Sequence, residues 1–113
     1  MNEENGIIAV VTFEVTPEAF GRVSSEAASV LQGRLPAIAG FIEGMVLANE
    51  STTEVRIVTR WTSREHWAAA QWDERIERTV TDLFQDTASY KLEMYALLAT
   101  ATSANDAGAG FDV

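Results

Sequence analysis

Cysteine is missing from this chain of 113 residues, and histidine occurs once, as His66. Disulfide bonds and thiol catalysis are therefore excluded, and a histidine-rich metal site cannot be built. Basic residues are also scarce: 8 lysines and arginines stand against 17 acidic residues, which gives a formal net charge of −9 at pH 7. This acidity disfavours nucleic acids and membranes as partners, because both are bound through basic faces.

Long apolar runs and glycine-rich phosphate loops are missing as well. The apolar stretch Ile7 to Val11 is too short for a membrane span or a signal core, and acidic rather than basic residues precede it. We therefore expect a cytoplasmic protein without a nucleotide cofactor. Its length suits one domain, at residues 1–99. Residues 100–113 should form a flexible tail, because positions 100–110 carry no large apolar side chain.

Alternating and helical periods divide the first half of the chain into a strand and a helix. Ile7 to Val15 is apolar on both parities, which predicts a strand that is buried on both faces. The sequence Thr16-Pro17-Glu18 is typical of a helix start, with a capping hydroxyl, a first-turn proline and an acid. The apolar spacing that follows predicts a helix to about Leu35.

A hairpin is predicted next, with strands at Phe41 to Asn49 and Glu54 to Thr62. In the second strand Val55, Ile57, Thr59 and Trp61 share one face, and Arg56, Val58 and Arg60 share the other.

Two helical stretches and a strand complete the chain. Thr62 with Glu65 forms a capping box that starts a helix at Ser63 to Gln71. The spacing of Ile76, Val80, Leu83 and Phe84 predicts further helix, and Tyr90 to Ala99 alternates as a final strand.

The predicted order is strand, helix, strand, strand, helix, strand. This is the split βαββαβ arrangement of the α+β ferredoxin-like fold, with helices on one face of a four-stranded antiparallel sheet. Ile8, Val10 and Val58 make the other face apolar too, and soluble monomers rarely expose a large apolar patch. We therefore expect a homodimer in which two sheets pack face to face.

The chain resembles the antibiotic biosynthesis monooxygenase superfamily of dimeric α/β-barrel proteins from Ile7 to Ala99. The segment Pro36 to Gly44 is similar to a lengthened form of the family's Pro-Gly-Phe turn, and Arg60 to Trp67 is similar to its strand-ending tryptophan with a capped helix. The resemblance implies a homodimer with one pocket per subunit. It also implies oxidation of polycyclic aromatic, quinol-like or anthrone-like substrates, such as polyketides of secondary metabolism, by dioxygen without metal or flavin.

Such chemistry needs a surface for a flat ring, a base and a donor for an oxyanion. We predict catalytic roles for His66, because imidazole exchanges protons near neutral pH, and for Arg60, because its charge can stabilise an enolate. Tyr95 is a third catalytic candidate, because it shares a strand face with Lys91 and Glu93 and so has a polar setting. Substrate binding is predicted for Trp72, Trp67 and Arg56.

The tryptophans, His66 and the two arginines also have structural interpretations. Trp61 and Trp67 can belong to the core, and Trp72 to a dimer contact. His66 can be a solvated surface residue, and Arg56 or Arg60 can pair with Glu43 or Glu93 across the sheet.

Three functions remain open from the sequence. The first is the cofactor-free monooxygenase, and the second is a polyketide cyclase or isomerase, which needs the same groups without dioxygen. The third is a non-catalytic small-molecule-binding barrel protein. Oxygen uptake separates the first two, and a pocket packed shut by Trp67 and Trp72 would favour the third.

Overall fold

A computed structural model describes residues 5–74, 76, 78, 83 and 87–103. Its elements are β1 (Ile7–Val15), α1 (Phe20–Gly33), a 3₁₀ turn (Leu35–Ala37), β2 (Phe41–Asn49), β3 (Glu54–Trp61), α2 (Arg64–Ala70) and β4 (Thr87–Ala96). The strands form one antiparallel sheet in the order β2-β3-β1-β4. This confirms the predicted ferredoxin-like α+β fold.

Alternation decides which side chains meet the helices. We call the sheet face that bears Trp61 the inner face and the opposite one the outer face. Ile7, Phe13, Val55 and Trp61 are buried on the inner face. Helix α1 covers it because Val23, Ala27 and Val30 recur at helical spacing on its buried side. The core therefore lies between the helices and the inner face.

The first helix is shorter at both ends than predicted. Thr16 begins a turn instead of capping the helix, because its hydroxyl and its carbonyl both accept the N–H of Ala19. The helix starts at Phe20 and ends at Gly33, and the 3₁₀ turn that contains Pro36 follows. Proline lacks an N–H for the helical ladder, so the chain leaves the helix there.

The cap of α2 is Ser63 and not the predicted Thr62. The Ser63 hydroxyl accepts the backbone N–H of His66 at 3.1 Å, and the helix runs from Arg64 to Ala70. The prediction failed by one position because both residues are good capping types, and only the backbone angles decide between them.

Strand β4 lies three residues earlier than predicted, at Thr87–Ala96. Its pairing with β1 explains the shift: Ala96 faces Ile7, the first residue of β1, so residues beyond it have no strand partner there. Residues 100–103 have no regular structure, and the rest of the predicted tail lies outside the described residues.

The stretch between α2 and β4 is described in part. Ile76 and Leu83 are helical and buried, as their spacing predicts, whereas Val80 and Phe84 lie outside the described residues. None of the helices in the described ranges combines the length and the apolar character needed to cross a membrane.

Candidate functional site

A cavity of about 300 Å³ lies between the inner face of the sheet and the helices. Strands β1 and β3 form its floor, α1 forms one wall, and Trp67, Gln71 and Ile76 form another. Its described members that are exposed to solvent are Gln71, which follows α2, and Tyr90 and Leu92 on β4, which are 57% and 42% exposed. The cavity therefore opens to solvent beside β4.

The lining of this cavity is almost entirely apolar. Among the described residues that line it, the polar ones are Thr59, Gln71 and Tyr90, and none is charged or a histidine. The Thr59 hydroxyl accepts the indole N–H of Trp61 at 2.8 Å, and the amide of Gln71 donates to the carbonyl of Trp67 at 3.0 Å. A group that binds here meets neutral hydrogen-bonding partners at few points.

Three predicted site residues lie on the opposite face of the sheet from the cavity. Arg56, Arg60 and Tyr95 have the parity of Val58 and Ile8, and cross-strand pairing places Arg60 and Tyr95 on either side of Ile8. The sheet separates their side chains from the cavity. Their catalytic and binding roles stay predictions, and the described cavity does not include them.

Arg60 connects three segments on the outer face. Its guanidinium donates two hydrogen bonds to the carbonyl of Asn5, at 2.9 and 3.1 Å, and one to the carboxylate of Glu43, at 2.9 Å. The Arg60 side chain is 25% exposed in this pair. The predicted pairing with Glu43 is present, and Arg60 fastens the start of β1 to the sheet.

Tyr95 and Arg56 each contact a carboxylate. The Tyr95 hydroxyl donates to Glu93 at 3.1 Å, and this bond together with the nearby negative charge raises the pKa of Tyr95. Arg56 lies 3.6 Å from Glu54 of its own strand instead of pairing with Glu43 or Glu93. Such exposed pairs contribute little to stability.

His66 is exposed at the start of α2 and is not among the cavity residues. Its Nδ1 lies 2.9 Å from the hydroxyls of both Thr62 and Ser63. Both hydroxyls can donate or accept, so either can form a hydrogen bond with this nitrogen. The arrangement fixes the imidazole ring against the turn and leaves it outside the cavity.

The three tryptophans have three different environments. Trp61 is 2% exposed and packs edge-to-face on Phe41 with ring centroids 5.5 Å apart. Trp67 is half-buried and lines the cavity, which agrees with the predicted binding role without testing it. Trp72 is 87% exposed and does not line the cavity.

The model of the family described as "Antibiotic biosynthesis monooxygenase" matches residues 6–82 of the sequence. The chain belongs to this family. A search of curated proteins finds no match. Two solved structures that are named as antibiotic biosynthesis monooxygenases have a fold similar to this chain, with TM-scores of 0.77 and 0.72 at 12% and 9% sequence identity.

Two further solved structures show how far the likeness extends. PA3566 from Pseudomonas aeruginosa has a TM-score of 0.73 and 13% identity, with 88% of this chain and 100% of that chain covered. Rv0793 from Mycobacterium tuberculosis has the same TM-score and 12% identity, with 85% and 98% covered. At such identities the likeness establishes the family's fold and says nothing about the reaction.

Of the predicted site residues, Trp67 is the one that appears among the described lining residues of the cavity. Tyr90 shares the parity of Leu92 and could have been found by asking which face the helices cover. Gln71 follows the end of α2 and carries no sequence signal, and the helical spacing of Leu31 fits a core residue as well as a cavity residue. Within the described ranges, no group of three acidic or histidine side chains is arranged to hold a metal ion.

Proposed function

We propose that this member of the family is a cofactor-independent monooxygenase that oxidises a quinol-like or anthrone-like polycyclic aromatic with dioxygen. The observation that carries the proposal is the apolar cavity of about 300 Å³ between helices and sheet. It lies at the small end of the range for ligand sites, roughly 300 to 1,000 Å³. A cavity of roughly 150 Å³ already holds benzene, so twice that volume suits two or three fused rings.

The lining favours a ligand that enters uncharged. An ionised group in this cavity would lose water without gaining a charged partner among the described lining residues. The net charge of −9 opposes anions further. Hydroxyl or carbonyl groups of the substrate would be held at the mouth by Tyr90 and Gln71, while Trp67 contacts the ring.

The reaction then draws its reactivity from the substrate. An anthrone carries an activated CH₂ group, and dioxygen converts this group to a carbonyl: one oxygen atom bonds to the carbon, and the other leaves as water with the two hydrogens. The substrate itself supplies all the electrons that reduce dioxygen, so no external reductant is needed. The protein contributes orientation and a dry environment for the reactive intermediate. The first proton of the CH₂ group leaves to water at the open mouth, because the described lining residues include no charged side chain or histidine that could accept it.

Oxygen uptake with anthrone tests this proposal. Wild-type protein should accelerate uptake above the rate of heat-inactivated protein, and labelled oxygen from dioxygen should appear in the product. Leu92→Glu should abolish the acceleration, because it places a charge at the apolar mouth. Leu98→Glu is the matched control, since Leu98 is 77% exposed and lies outside the cavity. An equal rate in both variants would contradict the assignment of this cavity.

Two alternatives use the same cavity. A cyclase or isomerase would consume its substrate equally fast without oxygen, so anaerobic turnover identifies it. A non-catalytic binding protein is favoured by the lack of charged or histidine side chains among the described lining residues. Saturable binding of anthrone without turnover in air would select this third function.

The protein is also proposed to act as a homodimer. The outer face carries Met45 and Leu47, which are 50% and 47% exposed, beside half-buried Ile8, Val10 and Val58. Charged pairs such as Arg60 with Glu43 border this apolar strip. A second copy packed on it would remove the strip from water, and the cavities would stay open on the inner faces.

A further inference from the structure

Gly44 lies on the inner face of β2, opposite Thr59 of β3. A Cβ at this position would lie 2.7 Å from Cδ1 of Leu31, which real Cβ atoms essentially never show, and 3.0 Å from the carbonyl oxygen of Val58. Gly44 is not one of the glycines with positive φ, so its backbone conformation does not require glycine. Glycine is required at this position because Leu31 occupies the space that a side chain would need.

Leu31 extends from α1 and forms part of the cavity wall. Its methyl group occupies the place that a side chain at position 44 would take, which keeps Leu31 against the sheet. From this contact we infer that Gly44 and Leu31 together set the largest ring system that the cavity accepts. The inference rests on the proposed function, because it specifies the size class of the ligand of that same cavity.

The surroundings decide which way Leu31 moves when position 44 gains a methyl group. The carbonyl of Val58 belongs to the β2–β3 ladder, and the Phe41 ring, 3.4 Å from the added Cβ, packs on Trp61. Both are held in place. The end of Leu31 is a flexible side chain that borders open space, so it moves into the cavity and narrows it.

The experiment compares two uncharged fluorescent probes, a naphthol with two rings and a hydroxyanthracene with three. Dissociation constants are measured for wild type, Gly44→Ala, Leu31→Ala and the double variant. Gly44→Ala should weaken the three-ring probe by roughly tenfold or more relative to the two-ring probe, since one methylene in an apolar pocket discriminates by roughly 10- to 200-fold. Leu31→Ala should shift the preference toward the larger probe, and the double variant should recover three-ring binding.

Gly21→Ala is the matched control, because Gly21 lies on the same helix as Leu31 and a Cβ there meets no atom within 4 Å. It should leave the affinities for both probes unchanged. Leu31→Ala also tests the inference without relying on the stability of Gly44→Ala.

Three results would overturn the inference. The first is an equal loss of affinity for both probes in Gly44→Ala. The second is an unchanged ratio of the affinities for the two probes in Leu31→Ala. Either result refutes only the size limit, and the binding cavity stands. The third is a wild-type protein that binds neither probe, and this result refutes the proposed function as well.

Discussion

The side chain of His66 lies directly against the backbone of Gly40 and leaves no room for a Cβ on that glycine. Gly40 has a φ of +88°, and its carbonyl accepts the N–H of Thr62 at 2.8 Å. The turn into β2 and the start of α2 are therefore fitted to each other at this contact. It gives the single histidine of the chain a structural role that the sequence alone did not reveal.

Gly40→Ala should lower the free energy of unfolding by about 1 to 3 kcal/mol or more. The substitution adds backbone strain at positive φ and a clash with the His66 ring. Urea denaturation measures the loss. Gly33→Ala is the control, since a Cβ there meets nothing within 4 Å and alanine suits a helix better than glycine. Equal stability of the two variants would show that the turn adapts.

His66 also allows a test of its predicted role as a base. Because the ring is exposed and bonded to Thr62 and Ser63, we expect His66→Asn to leave the pH profile of kcat/KM unchanged. The Ser63→Ala variant should lose about 1 kcal/mol of stability through the missing helix cap, with the same profile. The disappearance of one limb of the profile in His66→Asn alone would restore the catalytic role.

The sequence predicted most of the fold because alternation and helical spacing are local signals. They placed β1, β2 and β3 closely, but the ends of β4 depend on its pairing with β1, which is non-local. The site was less predictable. Alternation places Arg56 and Arg60 on the face opposite Trp61, but it does not tell which of the two faces borders the cavity, and the cavity lies on the Trp61 side. The direction of the Trp72 side chain could not be predicted from helical spacing, because α2 ends at Ala70 and Trp72 lies beyond it.

The pKa of Tyr95 is raised by its hydrogen bond to Glu93 and by the charge of that carboxylate. Removing the carboxylate in Glu93→Gln should therefore let Tyr95 ionise at lower pH. The chain has two tyrosines, so Tyr90→Phe provides a background in which tyrosinate absorbance reports Tyr95 alone. Identical titration curves with Glu93 and with Gln would contradict the assigned cause.

The raised pKa of Tyr95 also predicts that the free energy of unfolding falls at high pH. A raised pKa in the folded state means that folding retains the proton more tightly than the unfolded chain does. The resulting stabilisation of the folded state is fully present below the ordinary tyrosine pKa, and it is lost as the pH rises through the raised pKa of Tyr95. The Tyr95→Phe variant should lose less stability over that alkaline window than wild type, as melting curves would show.

Met45→Arg tests the proposed dimer. Met45 faces Val58, which in turn faces Val10, so an arginine at position 45 places a charge on the apolar strip of the outer face. Light scattering should give a dimer mass for wild type and a monomer mass for the variant, with the fold retained. Ser29→Arg, at an exposed position of α1, should remain a dimer. A monomeric wild type at micromolar concentration would exclude the dimer.

The three tryptophans give a final test, because their burial predicts three different losses. Trp61→Ala should cost about 3 to 5 kcal/mol, the usual effect of emptying a large buried aromatic site, and it also leaves the Thr59 hydroxyl without its indole donor. Trp72→Ala should stay within about 0.5 kcal/mol of wild type and keep full turnover, because that side chain is 87% exposed.

Trp67→Ala should behave differently from both. Trp67 lines the cavity, so its loss should reduce kcat/KM by about tenfold, which corresponds to about 1.4 kcal/mol of lost transition-state stabilisation. A bound naphthol should quench tryptophan fluorescence. This quenching should persist in Trp72→Phe and fall in Trp67→Phe to the part contributed by Trp61, which also lines the cavity. If Trp72→Phe removes the quenching instead, the ligand binds at the end of α2, and the apolar cavity is not its site.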